Sequence, residues 1–455
     1  MTTVHIGCGA GFAGDRFDAA VPVVAALAHA KGERFLIYEV LAERTLAIAQ
    51  RMRRENPEQG YSPFLDTYLP LVLADCRRHG IRIVTNMGAA NPLGAARRVQ
   101  TLAQQLGVQR IKIAAVTGDD LLATMSQDEL RREPVIEGIA LGKRDIVAAN
   151  AYLGARSVAD ALATGADVVL VGRTTDAALS LGPLLHVHGW NPDDLDRLAQ
   201  GTVCGHLLEC GAQVSGAYFP DPGLKDVPDL ARVGFPIAEV EADGSLIITK
   251  PPGTGGLVSR ATVIEQLLYE VHDPHNYLTP DVVLDLGEVE VEQIATNRVS
   301  VHGARGKPPP ATLKATVCVD AGWLGEGEIS YAGPNALGRA ELAASVVSAR
   351  CRAIGITDPV RVEVLGTQAI FDSDARSRRA RVTPDETGEY RMRAAVRTAT
   401  RKSAQQVADE VLSLYCSGPA GGAGVRQHIG AQVATASILI DRARVKACVH
   451  LVEQA

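Results

Sequence analysis

A chain of 455 residues with 46 basic and 52 acidic side chains, net charge −6, lacks the basic excess expected of a nucleic-acid-binding protein. Hydrophobic content of 46% is enough for a large core, and the length suits two domains better than one. Aromatic content of 4% leaves that core to Ala, Val, Leu and Ile, and 44 glycines point to many tight turns.

Val4-His-Ile6 reads as a first strand. It runs into Gly7-Cys-Gly-Ala-Gly-Phe-Ala-Gly14, and Asp15 stands where it can cap a helix from Arg16 to about Ala30. Strand, glycine loop and capped helix make a candidate anion site, with Gly9, Gly11, Asp15 and Arg16 as binding residues. Free N–H groups and the helix dipole both favour negative charge there. The spacing is GxGxG rather than GxGxxG. Glu39, after a second strand from Arg34 to Tyr38, is the acid that a ribose would need. A glycine turn that only lets the helix pack closely fits the same residues.

The alternation repeats. Strands are expected at Ile81 to Thr85, Ile111 to Val116, Ile146 to Ala149 and Asp167 to Val171, with helices between them. Near-continuous apolar strands of this kind give an α/β fold, a parallel N-terminal sheet with helices on both faces. Ligands bind at the carboxyl ends of such strands. Those ends carry Asn86, Asn91, Asp119, Asn150 and Arg173-Thr-Thr-Asp176. Arg173 and Asp176 are candidate catalytic residues, and Asn86, Asn91 and Asn150 candidate substrate ligands.

Gly201 to Gly216 reads as a helix with glycine ends. His206, Glu209 and Cys210 share one face of it, at i, i+3 and i+4. His206 and Glu209 join the catalytic candidates. A cysteine nucleophile with His206 as base, a metal with further ligands from elsewhere, and a buried thiol beside a hydrogen-bonded histidine remain open readings.

Leu246 to Thr249 is a strand, and a helix from Arg260 to Val271 is capped by Ser259. Between them Lys250, Gly253, Thr254, Gly255 and Gly256 form a second candidate anion cradle, without the order of a Walker A loop. Lys307-Pro-Pro-Pro-Ala311 reads as a linker or rigid turn. Beyond it strands are expected at Thr312 to Asp320, Arg361 to Leu365, Tyr390 to Arg397 and Val445 to Leu451. Helices are expected at Asn335 to Ile354 and Ser403 to Tyr415, giving a C-terminal α+β or α/β lobe. Arg376, Arg378, Arg379 and Arg381, flanked by acids, read as a solvated loop. The expected division is an α/β domain over 1–235, a connecting segment over 236–310 and a lobe over 311–455.

Eight scattered cysteines form no CxxC pair and no zinc-like spacing. They suit a reducing compartment, and no metal is expected. No run of residues has the length and apolarity of a membrane span. The expectation is a cytoplasmic protein that binds neither membrane nor nucleic acid.

Several stretches together resemble the acyclic terpene utilisation (AtuA-type) family. They are Ile6-Gly-Cys-Gly-Ala-Gly-Phe-Ala-Gly-Asp-Arg16, Gly172-Arg-Thr-Thr-Asp-Ala-Ala-Leu-Ser-Leu-Gly-Pro183, Gly201-Thr-Val-Cys-Gly-His-Leu-Leu-Glu-Cys-Gly-Ala-Gln213, Ile248-Thr-Lys-Pro-Pro-Gly-Thr-Gly-Gly-Leu257, Tyr269-Glu-Val-His-Asp-Pro274 and Gly325-Glu-Gly-Glu-Ile-Ser-Tyr331. Thr174-Thr175 stands where Val-Ala is common in the family, which leaves Arg173 and Asp176 to emphasise there. The resemblance implies a lyase or hydratase acting on a branched, carboxylated acyl-CoA, as suggested for proteins of citronellol and geraniol breakdown. CoA is then a moiety of a small anionic substrate, and no cofactor is expected. Many members carry a further ferredoxin-like domain, so the resemblance implies a small ferredoxin-like partner chain here, and a homo-oligomer. On this reading Lys250 and the glycine cradles hold anionic groups, and Arg173 clamps a carboxylate through two N–H bonds. Asp176, Glu209 or His206 moves a proton α to a carbonyl. The alternative is a non-catalytic acyl- or anion-binding subunit that works with the partner.

Overall fold

Five apolar runs become parallel strands, side by side in the order Val4–Ala10, Glu33–Tyr38, Arg82–Thr85, Val168–Val171 and Ile113–Thr117. The computed structural model describes residues 2–367, 369 and 388–452. Arg376, Arg378, Arg379 and Arg381 lie outside the described residues. The strands read as continuous apolar runs because both faces are covered. All four side chains of Val168–Val171 are buried, each contributing about 1.5–3 kcal/mol. One face packs on the helices Ala20–His29, Leu73–His79 and Pro92–Gln105. The other packs on Ala155–Ala163, Ala178–His188, Leu195–Glu209 and Arg260–Leu268. The expected α/β architecture is therefore present.

The chain divides into two compact units, Met1–Cys318 with Thr435–Ala455, and Val319–Ala434. In the first, residues 236–310 do more than connect. They extend the sheet with antiparallel strands Ile237–Val240, Leu246–Thr249, Arg298–His302 and Glu290–Ala295 beyond Val4–Ala10. Cys448–Val452 closes the opposite edge beside Ile113–Thr117. In the second unit Glu389–Thr398 pairs on one side with the latter part of the strand Thr312–Ala332 and on the other with Val360–Leu365. The helices Ala336–Ala353 and Arg401–Leu412 bury Val347, Cys351, Val407 and Val411 against Met392, Ala394 and Val396. This is an α+β arrangement.

Four local expectations are corrected. The first helix starts at Ala20, not Arg16, and no side chain caps it. Arg16 is held in a loop by its N–H bonds to the carbonyls of Ala231 and Val233. The glycine-bounded helix is Leu195–Glu209, with Gly201 and Gly205 inside it. Ile146–Ala151 pairs with Thr312–Ala332 rather than joining the parallel strands. Thr400, not Ser403, opens Arg401–Leu412, accepting from the Ser403 N–H at 3.2 Å.

Candidate functional site

Arg82–Thr85 hands over to the helix Pro92–Gln105 on one face of the sheet, and its neighbour Val168–Val171 hands over to Ala178–His188 on the other. Diverging connections open a crevice between the two strand ends. Asn86 and Arg173 stand at its two sides, with Glu39 one strand further along.

Arg173 is the centre of the crevice. Its side chain is 4% exposed. Its guanidinium lies over the Tyr152 ring, 4.1 Å from the centroid. Nη1 donates to the Leu41 carbonyl, and Nη2 lies 3.2 Å from Asp176 Oδ1. Nε has no hydrogen-bond partner among the described residues. Burial works against the charge, but Asp176, Tyr152, Glu39 and Glu43 outweigh it and hold the guanidinium protonated.

Acids surround this one cation. Asp176 lies deep in the protein, yet 33% of its side-chain surface is open. A side chain combines those properties by bordering a cleft. Burial raises its pKa well above the usual range. Arg173 opposes that rise, and Glu39, Glu209 and Glu43 add to it. Glu39 is likewise deep but half-open, and burial raises it too, against Arg173 and hydrogen bonds from Leu41 and Asn86. Glu43 goes the other way. Burial pushes it up, but the Tyr152 hydroxyl at 2.6 Å and the Arg173 charge bring it below the usual range.

The opposite wall is the helix Leu195–Glu209. A Cβ on Gly205 would come within 2.5 Å of the Ala177 Cα, so only glycine lets this helix approach the residue after Asp176. That approach brings Glu209 close enough to act on Asp176 and Glu39, while His206 is buried behind it with Nε2 3.2 Å from the Leu267 carbonyl. His206 Nδ1 is 3.0 Å from Glu209 Oε1, and its ring is 5.8 Å from that of Tyr277. Burial disfavours the imidazolium, but Glu209 prevails and raises the His206 pKa. Burial, with Glu209, pushes the Cys210 thiol up, which does not suit a nucleophilic thiolate. Among the described residues no three His, Cys, Asp or Glu side chains are grouped as metal ligands.

Residues 4–451 match the family described as acyclic terpene utilisation family protein AtuA. The chain belongs to that family. The matched span includes every crevice residue named above. No curated protein and no solved structure matches the chain. The AtuA description sets it in a catabolic role, the utilisation of acyclic terpenes.

The other expected site residues of this AtuA chain are distributed as follows. Gly9 lies against the Tyr38 ring, and a Cβ on Gly11 would meet the Cys210 carbonyl carbon at 2.3 Å. Asp15 accepts the Gly11 and Arg16 N–H groups at 2.9 and 2.7 Å. These residues fold the loop onto the crevice helix. Asn86 is buried behind Glu39, donating to its Oε1 at 2.8 Å. Asn91 caps the helix Pro92–Gln105 and donates to the Pro57 and Gln59 carbonyls. Lys250 is buried, donates to the Thr254 carbonyl at 2.7 Å, and has its pKa lowered by burial. The Gly255 and Gly256 N–H groups donate to Arg232 and Pro228, while Gly253 borders open space. Glu43, Tyr152 and Tyr277 carry no motif that marks them in the sequence, and Glu39 stands beside Asn86 and Arg173 rather than at a ribose site.

Asn150 and Asp119 hold Arg173 from behind. Asp119 Oδ2 accepts the Arg173 backbone N–H and Asn150 Nδ2, both at 2.8 Å. Burial pushes the Asp119 carboxyl from 3.8 up to about 6, against those bonds. The folded state therefore holds more protons than the unfolded state between these values, and stability falls as pH rises through them. Asp119→Asn keeps an acceptor for both donors and removes the ionisation. The expected outcome is a flatter stability curve between pH about 4 and about 6, by on the order of 2–3 kcal/mol, in urea unfolding.

Proposed function

We propose that this protein is a lyase or hydratase that moves a proton at the carbon next to a carbonyl in a small branched, carboxylated acyl-CoA. Such a step needs a donor and an acceptor of unlike proton affinity on one site. The observation that carries the reading is Asp176, a deep carboxyl open to the crevice and raised by burial, beside an Arg173 Nε that has no partner among the described residues. A protonated carboxyl that borders the crevice suits a proton donor to a group leaving the substrate, and the buried guanidinium beside it holds that carboxyl in place. The floor holds more acids than bases, so the substrate's own charges stay outside it. Eight unpaired thiols support a cytoplasmic setting.

The test is isotope exchange. The purified chain is incubated with 3-methylbutanoyl-CoA and with its ω-carboxylated analogue in D2O, and α-deuterium is read by mass spectrometry. Incorporation above the uncatalysed rate is expected for at least one of the two thioesters. No incorporation into either sinks the reading.

A further inference from the structure

We infer that Glu39 is the second carboxyl of a proton-carrying pair, and that Glu39 and Asp176 hold one proton between them, resting on Asp176. Both stand at the carboxyl edge of the parallel sheet and both flank Arg173. Glu39 follows Glu33–Tyr38, Asp176 follows Val168–Val171, and one strand separates them.

Their hydrogen bonds differ in a way that places the proton. Glu39 Oε1 accepts the Leu41 N–H at 2.9 Å and Asn86 Nδ2 at 2.8 Å. Two donors on one oxygen favour the ionised form, and Oε2 takes no hydrogen bond among the described residues. Asp176 Oδ1 has an ion pair with Arg173 but no hydrogen-bond donor among the described residues. Asn86 is itself fully buried and fixed, because its Oδ1 accepts the Val40 N–H at 2.8 Å.

The surrounding charges require such a proton. His206 answers Glu209, and the Tyr152 hydroxyl answers Glu43. Asp15 is held by two backbone N–H groups. Burial raises the pKa of Cys8, Cys210, Tyr152 and Tyr277, which keeps all four neutral. Arg173 is then left facing Glu39, Asp176 and Glu43 alone. Three ionised carboxyls would outnumber the one guanidinium by two charges, and one shared proton halves that excess.

The pair also closes the proton balance of a dehydration, a use that rests on the function proposed above. The α C–H bond breaks and its proton passes to Glu39 Oε2. The C=C bond forms, the β C–O bond breaks, and Asp176 gives its proton to the departing hydroxide, which leaves as water. The pair begins and ends with one proton, and exchange with solvent, Glu39 losing a proton and Asp176 gaining one, resets it.

Infrared difference titration of the full chain tests the pair without any substrate, reading the C=O stretch of protonated carboxyls. Wild type is expected to keep a protonated carboxyl at neutral pH that Asp176→Asn removes. Glu39→Gln, which keeps an acceptor for Leu41 and Asn86, is expected to lower the midpoint of that band by about one unit or more. Asn86→Ala, which takes one donor from Glu39, is expected to shift the midpoint as an independent check. The inference is overturned if Asp176→Asn leaves the band in place, or if both other variants, folded by near-ultraviolet circular dichroism, leave the midpoint unchanged. A coupled band without deuterium incorporation overturns only the catalytic reading. Incorporation with an uncoupled band overturns only the pair.

Discussion

Arg173→Met should lower folding stability by about 3–5 kcal/mol at neutral pH, the range for removing one partner of a buried ionic cluster. Methionine keeps much of the length and can still lie against the Tyr152 ring. What it cannot do is offset Asp176, Glu39 and Glu43, all of which act on the Arg173 charge. Asp176 and Glu39 are already raised, with Arg173 the main force holding them down. Without it their folded pKa values rise further above the unfolded values. The folded state of the variant then holds extra protons, so its deficit is greatest at neutral and higher pH. The deficit shrinks as pH falls toward about 4, where the unfolded carboxyls are protonated as well. Urea unfolding across this range measures it. A deficit independent of pH would mean that Arg173 acts through packing alone.

The parallel strands were legible because burial on both faces leaves little room for polar residues. Val168–Val171 and Ile113–Thr117 announce themselves for that reason. Of the antiparallel edge only Leu246–Thr249 was legible. Glu290–Ala295 is almost wholly exposed, so its side chains carry no burial pattern. Thr312–Ala332 was read only to Asp320 because Gly322, Gly325 and Gly327 look like punctuation. They lie instead where the strand approaches Thr398, Ala404 and Val411 too closely for a side chain. The return of Cys448–Val452 to the first unit is a pairing with residues 113–117, which no local pattern encodes.

The site divides in the same way. Arg173 and Asp176 were legible as charges at the end of an apolar strand, and His206 with Glu209 as neighbours on one helix face. Their meeting depends on Gly205 against Ala177, a contact between two helices that the sequence does not mark as a pair. Tyr152 reaches the site from a strand that pairs with Thr312–Ala332, and Tyr277 from a short strand of a separate three-stranded sheet. Neither position follows from local sequence. The glycine loops show the limit most plainly. Composition marks Lys250–Gly256 as a set of donors, but only the fold shows that Gly255 and Gly256 spend theirs on Arg232 and Pro228.

Asp176→Asn should reduce turnover by about 10²–10⁴-fold with the fold intact, the usual worth of a general acid or base. Asparagine keeps the size of the side chain and leaves the neighbouring acids facing Arg173, so a structural collapse is not expected. The pH profile separates a proton-transfer role from mere shape. Asp176 has a raised pKa and donates only while protonated, so wild-type turnover should fall as pH rises through that value, and the variant should lose this limb. Glu209→Gln offers the complementary result. Glu209 is among the acids that raise Asp176, and it also holds His206 above its ordinary range. Removing its charge should move the alkaline limb to lower pH rather than abolish it. Turnover of folded Asp176→Asn at the wild-type rate, with the limb unchanged, would take Asp176 out of the chemistry and leave the deep carboxyl without a catalytic role.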